Sequence, residues 1–91
     1  MKQNSQTVSQ YLKIINEPNR LKILILLKQG PQCVCEIYQY LNLPQNLTSH
    51  HLKMLKDFGL LKSHRQGLKI IYSRNEPKLK QFQKTLNAAI L

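Results

Sequence analysis

The sequence is poor in acidic residues and lacks both tryptophan and a long apolar run. Its 91 residues contain 4 Asp and Glu against 14 Lys and Arg. The longest apolar run, from Ile23 to Leu27, is far shorter than the roughly 20 residues that span a bilayer. Met1 to Gln6 do not lead into the apolar segment of a secretory signal. We therefore expect no membrane partner and no export from the cell.

Cysteine is also scarce. The two cysteines, Cys33 and Cys35, are separated by one residue. They are too close for an ordinary structural disulfide, and the chain has no other cysteine to pair with either of them. Because free thiols persist in reducing compartments, we expect a cytoplasmic protein.

The usual motifs of enzymatic chemistry are missing. The chain has no Cys-x-x-Cys on a strand–helix–strand unit, no glycine-rich phosphate loop among its 3 glycines, and no convergent pair of carboxylates. We therefore expect that the protein is not an enzyme and needs no obligatory cofactor.

Positive charge, by contrast, is abundant. The formal net charge is +10 at pH 7, and the sequence pI is near 10.0. Such an excess on a small chain favours a polyanionic partner, nucleic acid first and an anionic membrane second. Residues 1–45 hold 5 Lys and Arg with 2 acids, a net +3, whereas residues 46–91 hold 9 with 2, a net +7. The C-terminal half is therefore the half expected to face nucleic acid.

Length and apolar spacing predict one domain over residues 1–91, since single domains most often run roughly 100–150 residues. Helices are predicted over 7–16, from Pro18 to a stop at Gly30, about 33–41, about 45–58, and after a cap at Asn75. Two β-prone runs, 60–64 and 68–73, predict a hairpin, so that a wing covers about 60–74. The fold class is thus mainly α with a small β-hairpin, in the order α-α-α-α-β-β-α. This order describes a winged helix-turn-helix.

The fourth helix, about 45–58, has one short polar face. At about 100° per residue, Asn46, Ser49 and Lys53 fall on the same side, whereas Leu52 and Leu55 point the opposite way. A major groove admits one helix, and such side chains pair there with base edges or phosphates. The alternative is that these residues form an ordinary solvated face. The tight turn before this helix, the hairpin after it and the positive charge of the chain make that alternative weaker. The predicted DNA contacts on this helix are Gln45, Asn46, Thr48, Ser49, His50 and Lys53.

Two residues of this helix carry an alternative role. Thr48 falls on the side of the leucines, where it can instead help to start the helix. His51 leans toward the same side, and we interpret it as a structural histidine near the core rather than a ligand. His50 is assigned to the DNA side.

The hairpin tip is basic. Arg65, Gln66 and Lys69 surround Gly67, and a tip of this kind reaches the phosphate backbone or the adjoining minor groove. It would add affinity more than sequence choice. The alternative is a solubilising loop.

Five segments of the sequence resemble the ArsR/SmtB-type winged-helix repressors. They are EPNRLKIL at 17–24, CVCEI at 33–37, SHHLKML at 49–55, DFGLL at 57–61 and RQGLKIIY at 65–72. The resemblance covers nearly the whole chain in the order of the family. It implies a homodimer, joined through residues 5–16 and 76–91, that binds an inverted-repeat operator in double-stranded DNA and releases it on sensing a ligand. The apolar stripes expected to form the dimer interface are Val8, Leu12, Ile15, Leu79, Phe82, Leu86 and Ile90.

In that family a Cys-x-Cys at the start of the third helix binds thiophilic inducers, which implies a metal site at Cys33 and Cys35. The implied inducers are As(III), Sb(III) or a soft divalent metal, which suit thiolate ligands. We expect Cys33 to lean inward and Cys35 to point to solvent. Two residues this far apart on a regular helix chelate one ion poorly, so binding should unwind the first turn and shift the reading helix.

The ligand set departs from the family pattern. The position of the third cysteine in arsenic-type members is Tyr38, residues 1–32 contain no cysteine, and the last helix offers Glu76 but no histidine. A third ligand would come from an exogenous thiol, a solvent oxygen, the partner subunit, or one of His50, His51 and His64. Two alternatives stay open: a thiol-redox response, and a constitutive DNA-binding regulator in which the cysteines sense nothing.

Overall fold

The computed structural model describes residues 5–90, which form five helices and a three-stranded antiparallel sheet. The elements are α1 Ser5–Ile15, α2 Pro18–Leu27, β1 Gln32–Cys33, α3 Val34–Leu41, α4 Gln45–Asp57, β2 Leu61–Gln66, β3 Lys69–Arg74 and α5 Glu76–Ile90. Two parts of the chain lie outside the described residues. Residues 1–4 belong to the segment that predicts no secretory signal, and residue 91 ends the predicted dimerisation segment. Within residues 5–90, no helix is long and apolar enough to cross a membrane.

Local side-chain chemistry fixes where the central helices begin and end. Glu17 caps α2, because its Oε1 accepts hydrogen bonds from the backbone N–H groups of Asn19 at 2.7 Å and Arg20 at 3.0 Å. Helix α3 ends at Asn42, whose φ of 55° lies in the left-handed region that asparagine tolerates. The chain then needs only Leu43 and Pro44 before α4 begins, which makes the tight turn between the two helices.

A single core holds α4 in place. Five apolar side chains are almost completely buried, one from α2, one from α3, two from α4 and one just before β2: Ile23, Ile37, Leu52, Leu55 and Leu60. Burial of each such side chain contributes roughly 1.5–3 kcal/mol. Because two of them belong to α4, the core fixes the rotation of this helix about its own axis.

The sheet contains one strand more than the sequence predicts. The strand order is β1-β3-β2, with Gln32 paired to Tyr72 and Cys33 paired to Ile71. The predicted order α-α-α-α-β-β-α therefore lacks β1, because two residues are too few to show an alternating pattern. This short strand attaches the cysteine segment directly to the wing.

Arg74 joins the end of the wing to the helical core. Its Nη1 donates a hydrogen bond to the backbone oxygen of Leu24 at 2.9 Å, and its Nε donates to Oε2 of Glu76 at 2.9 Å. One guanidinium thus connects β3, α2 and the start of α5.

The structure contradicts two residues of the predicted dimer stripes. Val8 and Phe82 are buried within their own chain, and the Phe82 ring lies 4.7 Å from that of Tyr11. These two residues pack α1 against α5 and are removed from the predicted interface. Leu12 is 38% exposed and Ile90 is 63% exposed. Ile15, Leu79 and Leu86 are half-buried and remain predictions, as do the two exposed residues.

Replacing Phe82 tests the α1–α5 contact. We expect Phe82→Ala to lower the free energy of unfolding by about 3 kcal/mol, since truncating a buried aromatic ring leaves a cavity. The measurement is urea unfolding followed by circular dichroism at one fixed protein concentration. Gln83→Ala, at an exposed position of the same helix, is the control. A loss for Phe82→Ala no larger than that of the control would contradict the contact.

Candidate nucleic-acid interface and the adjoining cysteine cleft

The outward face of α4 carries the predicted reading residues. Gln45, Asn46, Ser49, His50 and Lys53 are all exposed. They share one side of the helix because Leu52 and Leu55 hold the opposite side in the core. The structure therefore presents a continuous row of hydrogen-bonding side chains to solvent.

Thr48 does not belong to this row. Its side chain is fully buried, and its Oγ1 has no hydrogen-bond partner among the described residues. The prediction of Thr48 as a DNA contact is wrong, because Thr48 lies one helical turn before Leu52 and shares the buried side of α4 with it.

Lys53 already has a neighbour of opposite charge. Its Nζ lies 3.1 Å from Oδ2 of Asp57, one helical turn further on. Both side chains are exposed, and exposed pairs at this spacing contribute only about 0.3–0.5 kcal/mol. Because this exposed pair is weak, Lys53 remains available to a phosphate oxygen of DNA.

The wing projects beside α4. Arg65, Gln66 and Lys69 are exposed around Gly67, which adopts a positive φ of 65° at the turn. Leu68, which the sequence analysis did not single out, is 99% exposed at the tip. A leucine in this position gains nothing from packing within its own chain, and only its place next to Gly67 in the hairpin could have drawn attention to it.

A cleft of about 300 Å³ separates α4, the wing and the start of α3. Its lining combines the cysteine segment with residues of the predicted DNA interface: Cys33, Val34, Cys35, Gln45, Ser49, Leu52, Leu68, Lys69, Ile70 and Tyr72. The wing residues of this set were not predicted to meet the cysteines, because the β1–β3 pairing that brings them together was not predicted either.

The two cysteines form a disulfide, with their Cα atoms 5.3 Å apart. The expectation that they are too close to pair is wrong. Cys33 is not on the helix: it precedes α3 in an extended conformation, with φ −78° and ψ 157°. Its backbone N–H donates to Oε1 of Glu36 at 2.9 Å, which holds this conformation. The two sulfur atoms can therefore meet with α3 intact, whereas the predicted unwinding on binding a metal ion stays a prediction.

The cysteines differ sharply in exposure. Cys33 is 4% exposed, whereas Cys35 is exposed to solvent. This agrees with the inward and outward directions expected from the sequence. The reason is now specific: Cys33 is a strand residue that faces the core, and Cys35 lies in the first turn of α3.

The donor set for a metal is limited to these two sulfurs. Across residues 5–90, no group of three or more His, Cys, Asp and Glu side chains is placed to hold a metal ion. His50, His51 and His64 therefore do not complete a site within one chain. After reduction, two thiolates can hold a thiophilic ion, and any further ligand must come from outside the described chain.

His51 lies at the contact between α4 and the start of α2. Its Nε2 is 4.0 Å from Oε1 of Glu17, and its pKa is lowered by burial, with the charges of Arg20 and His50 acting in the same direction and Glu17 opposing them. Burial by itself would raise the pKa of Glu17. Hydrogen bonds from the Arg20 and Asn19 N–H groups, together with nearby positive charge, outweigh burial, so that the pKa of Glu17 is lowered. At neutral pH the histidine is therefore neutral and structural, as expected.

The lowered pKa of His51 predicts a pH dependence of stability. The unfolded chain takes up the His51 proton near pH 6.5, before the folded chain does. Stability is thus fully present above pH 6.5 and is lost as the pH falls through the lowered pKa. We expect urea unfolding between about pH 7.5 and about pH 5 to show a shallower loss in His51→Gln than in the unmodified chain. Parallel curves for the two proteins would contradict this prediction.

The helix-turn-helix, the basic wing beside it and the exposed polar row on α4 define a winged helix-turn-helix DNA-binding protein. Residues 17–63, more than half of the chain, match the family model described as "Bacterial regulatory protein, arsR family". The chain belongs to the arsR family of bacterial regulatory proteins. Its fold and family are those of DNA-binding transcriptional regulators rather than enzymes.

Individual relatives agree with this assignment. The chain is 34% identical to an arsenical resistance operon repressor of Staphylococcus xylosus, over 88% of this chain and 77% of that protein. It is 32% identical to a homolog of the cadmium resistance regulator CadC from Staphylococcus aureus, over 88% of this chain and 67% of that protein. The homodimeric winged helix-turn-helix domain of a possible ArsR-family regulator from Mycobacterium bovis is 28% identical, with a TM-score of 0.75, over 92% of this chain and 79% of that one.

Proposed function

We propose that the protein is a homodimeric transcriptional repressor that binds an inverted-repeat operator and releases it through chemistry at Cys33 and Cys35. The observation that carries the proposal is the position of the cysteine cleft between the polar face of α4 and the wing. Relatives named as an arsenical resistance operon repressor and as a transcriptional repressor support the direction of regulation. The protein's place of action is the cytoplasm, where the DNA lies. Free thiols do not support this location, because the two cysteines form a disulfide.

DNA recognition is divided between two elements. Helix α4 enters the major groove, where Ser49 and His50 are the residues assigned to base edges. The wing, through Arg65 and Lys69, contacts phosphates or the neighbouring minor groove. In a dimer, the two copies of α4 lie about one DNA turn apart, roughly 34–36 Å.

Dimerisation uses the apolar surface that remains exposed on α1 and α5. Leu12 and Ile90 are the exposed members of the predicted stripes, and Leu12 also lines a groove of about 500 Å³ with Ile15 and Leu21. An isolated chain would leave this surface in water. The homodimeric state of the related Mycobacterium bovis domain supports the same arrangement here.

Substitutions on α4 test its reading role. We expect Ser49→Ala or His50→Ala to weaken operator binding about tenfold, because a contact to a base edge contributes about 1–3 kcal/mol of discrimination. Binding to a random duplex should change little. The measurement is fluorescence anisotropy on the DNA upstream of the gene and on the random duplex, both at one salt concentration. Equal losses on the two duplexes would reject the base-reading role.

Arg65→Ala serves as the matched comparison. A wing residue that contacts phosphate contributes to all sequences alike, so its loss should weaken both duplexes by a similar factor. Unchanged affinity would remove Arg65 from the interface.

The inducer of this proposal is a thiophilic metal or metalloid held by the reduced cysteines. As(III), Sb(III) or a soft divalent metal suits two thiolates, with a solvent oxygen, an exogenous thiol or the partner subunit completing the set. The thiol of Cys33 lies at the N-terminus of α3, where a thiolate is favoured. Because the pair adjoins Ser49 in the cleft, a change at the sulfurs lies next to the DNA-contacting face.

A second candidate is a switch between dithiol and disulfide. The disulfide between Cys33 and Cys35 favours it specifically, because it is a second stable state of the same two atoms. In this alternative, oxidation rather than a metal changes the affinity for DNA.

Titration with arsenite distinguishes the candidates. We expect reduced protein to leave operator DNA at near-stoichiometric As(III), with the loss followed by anisotropy. The double variant Cys33→Ser/Cys35→Ser should bind DNA normally and ignore arsenite. Loss of binding on oxidation alone, with no response to arsenite, would select the redox switch. Normal release in the double variant would place the sensing site elsewhere.

A further inference from the structure

We infer that Cys35 is a modification site for a low-molecular-weight thiol that carries carboxylate groups, and that the attached group occupies the cleft between α4 and the wing. The inference rests on the proposed function for its consequence at the operator. Its chemistry is independent of DNA. It adds a ligand class that neither metal binding nor a simple dithiol–disulfide switch requires.

The disulfide is open to attack from one side only. Cys35 is exposed and Cys33 is 4% exposed, so an incoming thiolate reaches the sulfur of Cys35. Both cysteines line the cleft, so a group attached at Cys35 has this space beside it.

The reaction is a thiol–disulfide exchange with no net oxidation. The thiolate of the small molecule attacks Sγ of Cys35, and a new sulfur–sulfur bond forms between them. The bond between the two cysteines breaks, and its electron pair leaves on Sγ of Cys33 as a thiolate. The products are a mixed disulfide at Cys35 and a thiolate at Cys33, which takes up a proton or returns to close the original bond.

The position of Cys33 favours it as the leaving group. It is the residue immediately before α3, where the helix dipole and the unpaired N–H groups stabilise negative charge. A better stabilised thiolate leaves faster in such an exchange. The carboxylate of Glu36 is engaged by the Cys33 backbone N–H, 2.9 Å away.

The cleft has the size and chemistry for a small anionic group. Its volume of about 300 Å³ lies at the lower end of the range of small-molecule sites. Lys69 supplies a positive charge, Gln45 and Ser49 supply hydrogen bonds, and Leu68 and Ile70 supply an apolar wall. The half of the chain that contains α4 and the wing carries the larger positive excess, which attracts an anionic thiol over a neutral one.

An adduct in this place conflicts with DNA. Gln45, Ser49 and Lys69 line the cleft and also belong to the predicted DNA interface. The attached group would cover them and bring negative charge toward the phosphates. Release then needs no change in the orientation of α4.

Mass spectrometry of the oxidised protein incubated with reduced glutathione tests the inference. Quenching with acid and an alkylating reagent should reveal one glutathione and one alkylated thiol per chain, with the peptide map placing glutathione on Cys35 and the alkyl group on Cys33. Glutathione found only on Cys33, or no adduct at glutathione concentrations that leave the disulfide partly reduced, would overturn the proposal. This experiment uses the protein with both cysteines in place.

Single-cysteine variants provide a second reading. The reagent is glutathione disulfide. The variant Cys33→Ser, which keeps Cys35, should be glutathionylated at least about tenfold faster than Cys35→Ser, which keeps Cys33, because Cys33 is buried. Circular dichroism confirms that both variants are folded. Equal rates in the two folded variants would overturn the assignment of Cys35.

Charge selectivity tests the role of the cleft. We expect Lys69→Gln to slow the reaction with glutathione about threefold and not to slow the reaction with its diethyl ester, because both carboxylates are esterified there and only the ammonium charge remains. Lys62→Gln, an exposed lysine on β2 that does not line the cleft, is the control. Equal slowing of both thiols, or no slowing of either, would reject the cleft as the binding site.

The operator provides the last reading. Protein carrying glutathione on Cys35 should lose affinity for operator DNA relative to the same protein without the adduct. If the adduct forms on Cys35 but DNA binding is unchanged, the adduct does not cover Gln45, Ser49 and Lys69, and that part of the inference fails. If the unmodified protein never binds DNA, the proposed function fails while the modification stands.

Discussion

The structure depends on the burial of one face of α4. Leu52 and Leu55 are completely buried against α2, α3 and the segment before β2, so the helix cannot turn about its axis without exposing them. This restraint decides which side chains reach solvent. Ser49 and His50 are presented outward and His51 is held at Glu17, although the three are consecutive in the sequence. A reading helix is useful only if its rotation is fixed, and here packing rather than hydrogen bonding fixes it.

A second restraint comes from the pairing of β1 with β3. This pairing involves only two residues of β1, yet it places Cys33 opposite Ile71 and so brings the cysteine segment to the wing. The same pairing keeps Cys33 extended ahead of α3, which lets its sulfur meet that of Cys35. The cleft and the disulfide therefore both depend on this short strand, together with the hydrogen bond from the Cys33 N–H to Glu36. Arg74 connects the C-terminal end of β3 to α2 through its hydrogen bond to the backbone oxygen of Leu24.

Most helices could be predicted from the sequence because their signals are local. Pro18 after the capping Glu17, the turn at Asn42 and the spacing of Leu52 and Leu55 each depend on neighbouring residues. The errors share a different cause. The strand at Cys33, the intramolecular contact of Phe82 with Tyr11, and the meeting of Leu68 with the cysteines all join residues far apart in the chain. Thr48 and the cysteine pair are the exceptions. The spacing of Thr48 from Leu52 and Leu55 already placed it with the core, and Cys33 and Cys35 are only two residues apart.

Regulation by shared groups has a thermodynamic requirement. If a group attached at Cys35 occupies Ser49 and Lys69, then DNA on those residues must oppose the attachment by the same free energy, because coupling between two sites is reciprocal. The small thiol would then react with the free protein in preference to the DNA-bound protein. The rate of the response would depend on how often the protein dissociates from its operator. A mechanism that acted by unwinding α3 would not need the two ligands to exclude each other. The extended Cys33 and the cleft it borders favour exclusion, since the cysteines and three of the predicted DNA contacts line one cleft.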